Sequence, residues 1–326
     1  MKVYILYENP DWMPPLRREL DSAALAYEEW FVHTGCLDLA QEPPEGIFLN
    51  RMSPSSHTRG HRESVDYMRQ LLFWLESYGR RVINGSRSLE LEVSKVYQYA
   101  ALRRAGIQTP HTIAVSGGPE RLKQAAQHLS LPFITKHNRG GKGLGVQLFR
   151  SLEAFEAYVD SADFEAPIDH ITLLQEYIAA PQPFITRVEI VAGEFLYAIR
   201  SDTSLGFQLC PAERCDTGDA FCPAPQNGAG ERQNLFSLRE DFDDPLIDQY
   251  IAFMRQNAID LAGIEFIEDR HGNKITYDVN GTTNYAPGVE KRHGLNGMAA
   301  VVRLLERELD LIPYAQTGSQ PWMAAV

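Results

Sequence analysis

The sequence predicts an α/β (α+β) protein, in which a parallel α/β segment is followed by two mixed α+β segments. Strand and helix patterns alternate over about the first ninety residues, which is typical of a parallel sheet covered by helices. Two pairs of apolar strands flank polar loops within residues 133–149 and 264–280, and each pair is typical of an antiparallel hairpin. The chain of 326 residues is 44% hydrophobic, which is enough for more than one core.

The first predicted segment covers residues 1–88. Three short apolar runs predict strands, namely "KVYILYE", "GIFLN" and "RRVING". "SVDYMRQLLFWLESYG" predicts an amphipathic helix that ends at Gly79. The stretch "LRRELDSAALAYEEWFVHTG" also has apolar residues at helical spacing, and we predict one helix that ends at Gly35. These elements would form a small parallel α/β domain.

The second predicted segment covers residues 89–178. "SLELEVSKVYQYAALRRAG" predicts one helix that ends at Gly106, and "GPERLKQAAQHLS" and "SLEAFEAYVDSA" predict two more helices. The hairpin "FITKHNRGGKGLGVQLF" lies between the last two helices. The strand "ITLLQEYI" closes the segment.

The third predicted segment covers residues 179–326. "ITRVEIVAGEFLYAIRS" predicts two strands joined at Gly193, and "IEFIEDRHGNKITYDVN" predicts a second hairpin. Helices are predicted over "DQYIAFMRQNAIDLAG", which would end at Gly263, and over "GLNGMAAVVRLLEREL". Residues 203–245 have little periodicity and predict a surface insertion.

Composition excludes some classes of partner. The formal net charge is −12 and the pI is about 5.3, which argues against nucleic-acid binding because clustered Lys and Arg supply most of that affinity. No apolar run approaches the roughly 18 residues that a membrane span needs, so we expect a cytoplasmic protein without a membrane partner. The four cysteines include no C-x-x-C pair, which favours free thiols over a zinc site.

The first hairpin has a basic residue and a glycine-rich loop. Lys136 lies near the end of its first strand, and four glycines follow at positions 140, 141, 143 and 145. A P-loop or a dinucleotide-binding loop would lead into a helix, whereas "VQLF" predicts a strand. Glycine lets backbone N–H groups approach phosphate oxygens, and lysine supplies a positive charge. The hairpin is therefore either a nucleotide-phosphate site or a mobile surface hairpin.

The second hairpin carries hard oxygen ligands. Glu265 and Asp278 lie on opposite arms, and strand alternation puts Asp278 and Asn280 on one face. Two carboxylates that face each other are unfavourable without a cation, and two carboxylates with an amide oxygen suit magnesium. The alternative is a solvated polar face whose carboxylates pair with Lys274.

The order and spacing of these motifs resemble the ATP-grasp carboxylate–amine ligases. The chain looks closest to their RimK-type branch, which includes α-L-glutamate ligases and is similar to glutathione synthetase. The resemblance runs from "VINGSRSLELEVSKVYQYAALRRAGIQTPHT" through "FITKHNRGGKGLGV" and "LLQEYI" to "YDVNGTTNY". It implies an ATP-grasp fold, in which an N-terminal α/β domain precedes two lobes that clamp ATP.

The resemblance also implies roles for residues that contact the nucleotide and its metal. The predicted phosphate ligands are the lysines Lys95 and Lys136 with the loop residues Arg139, Gly140, Gly141, Lys142 and Gly143. The predicted hinge that binds adenine and ribose consists of Glu176, Tyr177 and Ile178. The predicted ligands of magnesium, or of manganese, are Glu265, Asp278 and Asn280.

Basic residues are predicted around the reacting groups. Arg187 and Arg200 match catalytic positions of the family, although the motif leaves open whether Arg187 or Glu189 faces the nucleotide. Arg51 and Ser53 follow a strand end, where open α/β sheets bind ligands, so they either hold a substrate carboxylate or belong to a solvated loop. The remaining predicted substrate-binding residues are Arg214 and Asn284.

The function implied by the resemblance is ATP-dependent ligation of a small-molecule or peptide carboxylate to an amine. The carboxylate would form an acyl phosphate, the amine would displace phosphate, and ADP would be released. Two alternatives remain from the residues alone, namely a kinase that phosphorylates a hydroxyl group and a nucleotide-binding module without turnover. Members of this family commonly self-associate, so a homo-oligomer is one expectation, while the sequence itself leaves the oligomeric state open.

Overall fold

A four-stranded parallel sheet forms the N-terminal part of the chain. The computed structural model describes residues 1–141, 143, 145–203 and 235–317. The strands are β1 (Lys2–Tyr7), β2 (Tyr27–Phe31), β3 (Gly46–Arg51) and β4 (Arg81–Ile83), in the order β2-β1-β3-β4. Helices α1 (Pro14–Ser22) and α2 (Ser64–Ser77) cover opposite faces, because alternate residues of β1 and β3 pack into two separate apolar cores.

The predicted long helix over residues 16–35 is wrong in its second half. The helix ends at Ser22, Ala24 adopts a left-handed conformation (φ 54°), and the chain returns as the edge strand β2. Val3 of β1 pairs in parallel with Tyr27. Aromatic residues favour strands, and this pairing with a distant strand outweighs the helical spacing of the apolar residues.

The second sheet is antiparallel. It contains β5 (Thr112–Ser116), β6 (Phe133–His137), β7 (Gln147–Phe149) and β8 (Ile171–Glu176), in the order β5-β8-β6-β7. Helices α5 (Pro119–Ala126) and α6 (Leu152–Val159) pack on one face through a core that includes Phe133 and Phe155. The predicted glycine hairpin is therefore the β6–β7 edge of this sheet.

The helix predicted to end at Gly106 is two helices. They are α3 (Ser86–Val93) and α4 (Lys95–Arg104), and the residue between them, Ser94, has an extended backbone. The Ser94 hydroxyl accepts a hydrogen bond from the Tyr97 N–H and so caps the second helix. The break places Lys95 at the first position of α4.

The third sheet is also antiparallel and has five strands. It contains β9 (Phe184–Val191), β10 (Glu194–Asp202), β11 (Phe236–Leu238), β12 (Leu261–Glu268) and β13 (Lys274–Asn280), in the order β11-β10-β9-β12-β13. Helices α4 and α7 (Pro245–Gln256) pack on one face. The other helices here are α8 (Pro287–His293) and α9 (Gly297–Thr317).

Two predictions for this segment need correction or restriction. The helix predicted to end at Gly263 ends at Gln256, because Ala258 takes a left-handed conformation (φ 52°) and Leu261 begins β12 beside β9. Of the predicted insertion, residues 204–234 lie outside the described residues, and β11 pairs with β10. Within the described ranges, no helix is both long and apolar enough to cross a membrane.

The fold class agrees with the prediction, since a parallel α/β sheet precedes two antiparallel sheets with helices. The exact domain boundaries at residues 88 and 178 stay predictions. Helix α9 packs against α1 and the N-terminal sheet, so the end of the described chain contributes to the first core.

Asn84 connects the N-terminal sheet to the third sheet. Its buried side chain donates hydrogen bonds to the carbonyl groups of Leu261 and Gly281, at 2.9 Å each. The same side chain accepts hydrogen bonds from the N–H groups of Asp260 and Leu261. Its left-handed backbone (φ 52°) is one that asparagine tolerates better than most residues. One side chain therefore satisfies four backbone groups at the junction.

We expect Asn84→Ala to lower the free energy of unfolding by about 3 kcal/mol or more, because each buried group left without a partner costs roughly 1–3 kcal/mol. Urea unfolding followed by circular dichroism would measure the change. Gln124→Ala is the matched control, since it removes an exposed amide from α5 and should change stability by less than about 0.5 kcal/mol. Equal effects of the two substitutions would contradict the bridging role.

Candidate functional site

One cavity of about 560 Å³ lies where the three sheets meet. This volume is within the range of small-ligand pockets. Its wall consists of the glycine hairpin, the residues that follow β8, one face of strands β9, β12 and β13, and the loop after β3. The predicted site residues that line it are Ser53, Lys136, Gly140, Gly141, Gly143, Glu176, Tyr177, Ile178, Arg187, Glu265, Asp278, Asn280 and Asn284.

A β-bulge shapes the acidic side of the cavity. Glu265 pairs with Asp278 in the register, and the irregularity that follows makes Tyr277 an extra residue of β13. Tyr277 and Asp278 therefore both line the cavity, although they are neighbours in a strand. The Tyr277 hydroxyl donates a hydrogen bond to Glu265 Oε2 at 2.7 Å. Lys136 Nζ lies 5.4 Å from the centre of the Tyr277 ring.

Lys95 and Asp278 form a buried ion pair behind this wall. The Lys95 ammonium donates a hydrogen bond to Asp278 Oδ1. Burial acts to raise the pKa of Asp278, but the charges of Lys95 and Lys136 outweigh it and the pKa falls below its ordinary value. Lys95 does not line the cavity, so its predicted contact with phosphate stays a prediction.

Arg187 is held between two carboxylates. Its Nε donates to Glu189 Oε1 at 2.6 Å, and one terminal nitrogen donates to Glu265 Oε1 at 2.9 Å. Burial acts to lower the pKa of Arg187, but the two carboxylates raise it further, so the guanidinium stays charged. Of the two residues between which the motif does not decide, Arg187 lines the cavity and Glu189 is buried outside its lining.

The donor set fits magnesium. Within the described ranges, no group of three or more His, Cys, Asp or Glu side chains could hold a metal, so Glu265 and Asp278 would need Asn280 and the nucleotide phosphates as further ligands. Asn280 donates its amide N–H to the Gly263 carbonyl at 3.4 Å, which leaves its amide oxygen to accept. Few protein ligands together with phosphate oxygens and water are typical of magnesium sites.

The opposite end of the cavity is largely apolar. Ile134, Val146, Ile178 and Ile267 contribute to the wall beside the strand end after β8. The end of β8 is held in place, because the side chain of its last residue, Glu176, accepts a hydrogen bond from the His111 N–H at 2.6 Å. Apolar walls beside backbone polar groups suit a flat heteroaromatic ring.

Several predicted residues lie elsewhere. Arg139 is buried outside the cavity lining, with one terminal nitrogen 4.0 Å from Asp66 of α2. Arg200 is exposed and lies over the ring of Phe184, 5.0 Å from its centre, so it contacts a lining residue without lining the cavity itself. Lys142 and Arg214 lie outside the described residues.

Sequence reasoning missed Glu92. This carboxyl group lines the cavity, is buried, and accepts a hydrogen bond from the Thr282 N–H at 3.3 Å. Burial raises its pKa from 4.5 to about 7, with opposing effects from hydrogen bonds and from Lys95. The available signal was its position three residues before Lys95 in what the sequence predicts to be one helix, but an acidic residue in an amphipathic helix is usually solvated.

Gly263 provides the space that Arg187 occupies. A Cβ atom at this position would overlap the Arg187 guanidinium, which two carboxylates hold in place. We expect Gly263→Ala to lower the free energy of unfolding by about 1–3 kcal/mol and to weaken binding of magnesium–ATP. Chemical unfolding and calorimetric titration would measure the two effects. Gly118→Ala is the control, because a Cβ atom there meets nothing; similar behaviour of both variants would contradict this geometry.

The raised pKa of Glu92 predicts a pH-dependent cost to stability. The unfolded chain ionises this carboxyl group above pH 4.5, whereas the folded chain resists ionisation up to about pH 7. The native protein should therefore lose stability relative to Glu92→Gln between these pH values, by about 3 kcal/mol at most. Urea unfolding at pH 4.5 and pH 8 would measure the difference, with Glu63→Gln as the control for removal of an exposed carboxyl group.

Comparison with known proteins agrees with this architecture. Residues 93–207 match the model of the RimK-like ATP-grasp domain. The ribosomal protein bS6–L-glutamate ligase of Escherichia coli O81 (strain ED1a) is 24% identical over 244 residues, which cover 74% of this chain and 73% of that protein.

Solved structures have the same fold. D-cycloserine synthetase DcsG superposes with a TM-score of 0.65 at 16% identity and covers 94% of this chain and 99% of its own. The ATP-grasp ligase PsnB, complexed with precursor peptide PsnA2 and AMPPNP, has a TM-score of 0.61 at 15% identity, with 94% and 97% coverage. A RimK domain ATP-grasp protein from Sphaerobacter thermophilus DSM 20745 also has a TM-score of 0.61 at 15% identity, with 93% and 99% coverage. This chain therefore has the ATP-grasp fold, and its residues 93–207 are similar to the RimK-like ATP-grasp domain.

Proposed function

We propose that this protein is an ATP-dependent ligase that joins a carboxylate to an amine and releases ADP and phosphate. The observation that carries the proposal is the arrangement of charge across one cavity. Lys136 lines the same cavity as the oxygen ligands of Glu265, Asp278 and Asn280, and its Nζ lies 5.4 Å from the centre of the ring of Tyr277 beside Asp278. A metal-bound triphosphate needs both a cation and hard oxygen ligands, and the apolar end of the cavity suits its base.

The glycine hairpin is suited to cover the phosphates. Gly143 and Gly145 have left-handed backbones (φ 77° and 67°), which let the loop turn tightly between β6 and β7. Lys136 has no ion-pair partner among the described residues, so its charge is available to phosphate oxygens. Magnesium, or manganese at the same ligands, would neutralise the phosphates and orient them.

The reaction would proceed in two steps. A carboxylate oxygen of the first substrate attacks the γ-phosphorus, the bond to ADP breaks, and an acyl phosphate forms. The amine nitrogen of the second substrate then attacks the carbonyl carbon, phosphate leaves, and an amide bond results. Arg187 lines the cavity as a fixed cation, so we assign it to the transferring phosphoryl group. A closed hairpin would exclude water from the acyl phosphate.

The names of the relatives narrow the class of substrate that we propose. One relative is named for the transfer of L-glutamate to ribosomal protein bS6, and another was solved with a precursor peptide. We therefore propose an amino acid, a peptide or a protein tail as substrates here, with Arg51, Ser53 and Asn284 on the substrate side of the cavity. A cytoplasmic location, self-association and a substrate contact by Arg214 belong to the same proposal.

Hydroxylamine separates this reaction from hydroxyl phosphorylation. It traps an acyl phosphate as a hydroxamate and leaves a phosphoester intact. The purified chain, incubated with ATP, magnesium, amino acids or short peptides and hydroxylamine, should release ADP and form a hydroxamate that mass spectrometry detects. A stable phosphoester would identify a kinase instead, and ATP binding without any ADP release would identify a binding module.

Lys136→Ala should lower ADP release by about 100-fold or more, because it removes the cation that faces the phosphates. Initial rates at saturating and limiting ATP would separate loss of binding from loss of turnover. Lys123→Ala is the control, since Lys123 pairs with Glu120 and Asp160 on the surface of the same lobe. Turnover by Lys136→Ala at the rate of the control would remove Lys136 from the site.

A further inference from the structure

Tyr277 contacts a charged side chain from each of the two hairpins that line the cavity. It belongs to β13 of the third sheet, and its hydroxyl donates to Glu265 Oε2 of β12 at 2.7 Å. The centre of its ring lies 5.4 Å from Nζ of Lys136, which belongs to β6 of the second sheet. All three residues line the cavity. One side chain therefore contacts both the proposed phosphate-binding cation and a proposed metal ligand.

The bulge in β13 lets Tyr277 face the cavity. Side chains of a regular strand alternate between its two faces, so the neighbour of Asp278 would point away from the cavity that Asp278 lines. Here Glu265 pairs with Asp278 and Phe266 pairs with Thr276, which leaves Tyr277 as the extra residue. Alternation alone would place Tyr277 on the opposite face, which is why no predicted site residue comes from this position.

Buried polar side chains hold the bulge in place. The Tyr99 hydroxyl of α4 donates to the Tyr277 carbonyl at 2.9 Å, and it accepts from the Gln175 amide of β8 at 2.9 Å. On the other side of the bulge, the Thr276 hydroxyl lies 2.6 Å from the Tyr250 hydroxyl of α7. The four contributing side chains are all buried. The bulge cannot move along β13 without breaking these hydrogen bonds, so the position of Tyr277 is fixed.

The Tyr277 hydroxyl fixes the orientation of the Glu265 carboxylate. Glu265 Oε1 accepts from Arg187 at 2.9 Å, and Oε2 accepts from Tyr277, so both oxygens are held. A carboxylate offers about four lone-pair directions, so each oxygen keeps one that a metal can use. Groups that orient a metal ligand in this way typically change metal affinity by roughly 10–100-fold when they are removed.

The Tyr277 ring limits where the Lys136 ammonium can lie. The distance of 5.4 Å is within the roughly 6 Å over which an aromatic face attracts a cation. An ammonium has three N–H donors, so Lys136 can keep its contact with the ring and still donate to phosphate oxygens. Lysine has a long and flexible side chain, and a ring contact reduces the number of positions that its charge takes.

We propose that Tyr277 is a positioning residue of the nucleotide site, which sets where the phosphates lie relative to the metal. Its ring locates the cation that binds the phosphates, and its hydroxyl orients a carboxylate that binds the metal. Phosphoryl transfer depends on this relative placement, because positioning and charge supply most of its catalysis. The inference rests on the proposed function and adds a residue through which the two hairpins act together.

Two substitutions separate the hydroxyl from the ring. Tyr277→Phe removes the hydroxyl and keeps the ring, whereas Tyr277→Leu removes both. Binding of Mn²⁺ to the full chain, loaded with a non-hydrolysable ATP analogue, is followed by electron paramagnetic resonance of the free ion. Both variants should bind Mn²⁺ at least about ten-fold more weakly than the native chain. The control is Tyr97→Phe, which alters an exposed tyrosine of α4 and should leave Mn²⁺ binding unchanged.

Nucleotide binding without a metal tests the ring. In the presence of EDTA, calorimetry should give the native affinity for the ATP analogue with Tyr277→Phe, and an affinity at least about three-fold weaker with Tyr277→Leu. In a Lys136→Met background, Tyr277→Leu should have no further effect, because the cation that the ring locates is gone. Tyr277→Met replaces Tyr277→Leu if the latter does not fold, since methionine also lacks an aromatic ring.

Three results would overturn the proposal. The first is native Mn²⁺ affinity in Tyr277→Phe, and the second is native affinity for the metal-free analogue in Tyr277→Leu. The third is an equal loss by both variants in both titrations, accompanied by a lower free energy of unfolding, which would assign Tyr277 a structural role alone.

The ligase and the positioning role fail in different ways. Hydroxamate formation by the native chain, together with native binding by both Tyr277 variants, would leave the ligase standing and refute the positioning role alone. Analogue binding without ADP release would refute the ligase, and the two titrations would still decide the role of Tyr277. A native chain that does not bind the analogue would refute both.

Discussion

The site depends on the neutralisation of carboxylates that crowd one face of the third sheet. Glu189, Glu265 and Asp278 lie on adjacent strands, and like charges this close repel one another unless cations lie between them. Arg187 is shared by the first two, and Lys95 pairs with the third. These pairs hold the three carboxylates in fixed positions before any ligand binds, which suits the proposed metal site.

The walls of the cavity come from parts of the chain that are far apart in sequence. Arg81 of the N-terminal sheet pairs with Asp260 before β12, at 2.5 Å, and with Glu308 of α9, at 2.9 Å. Asn84 adds its hydrogen bonds at the same junction. These partly buried polar contacts hold the junction together, and the loop after β3 therefore stays beside the other walls of the cavity.

Buried charges without partners distinguish the substrate end from the nucleotide end. At the proposed nucleotide end, Lys136 and Arg187 line the cavity, and Glu265 and Asp278 are already paired with Arg187 and Lys95. At the proposed substrate end, Glu92 is buried and lines the cavity, whereas Arg51 is buried outside the lining and donates to Asn284; neither forms an ion pair with a described residue. A folded chain tolerates such a cost where a bound molecule removes it.

The sequence by itself determined the features that depend on local pattern. The alternation of strands and helices, the two hairpins, and the facing of Glu265 and Asp278 all follow from periodicity and turn residues, and the resemblance to a family added the order of the motifs. Only the tertiary structure decided the rest. The chain from Tyr27 to Phe31 is a strand because β1 lies beside it, and the bulge at Tyr277 and the burial of Glu92 arise from contacts between distant segments. Strand pairing and burial depend on contacts between distant segments of the folded chain, so a short stretch of sequence does not determine them.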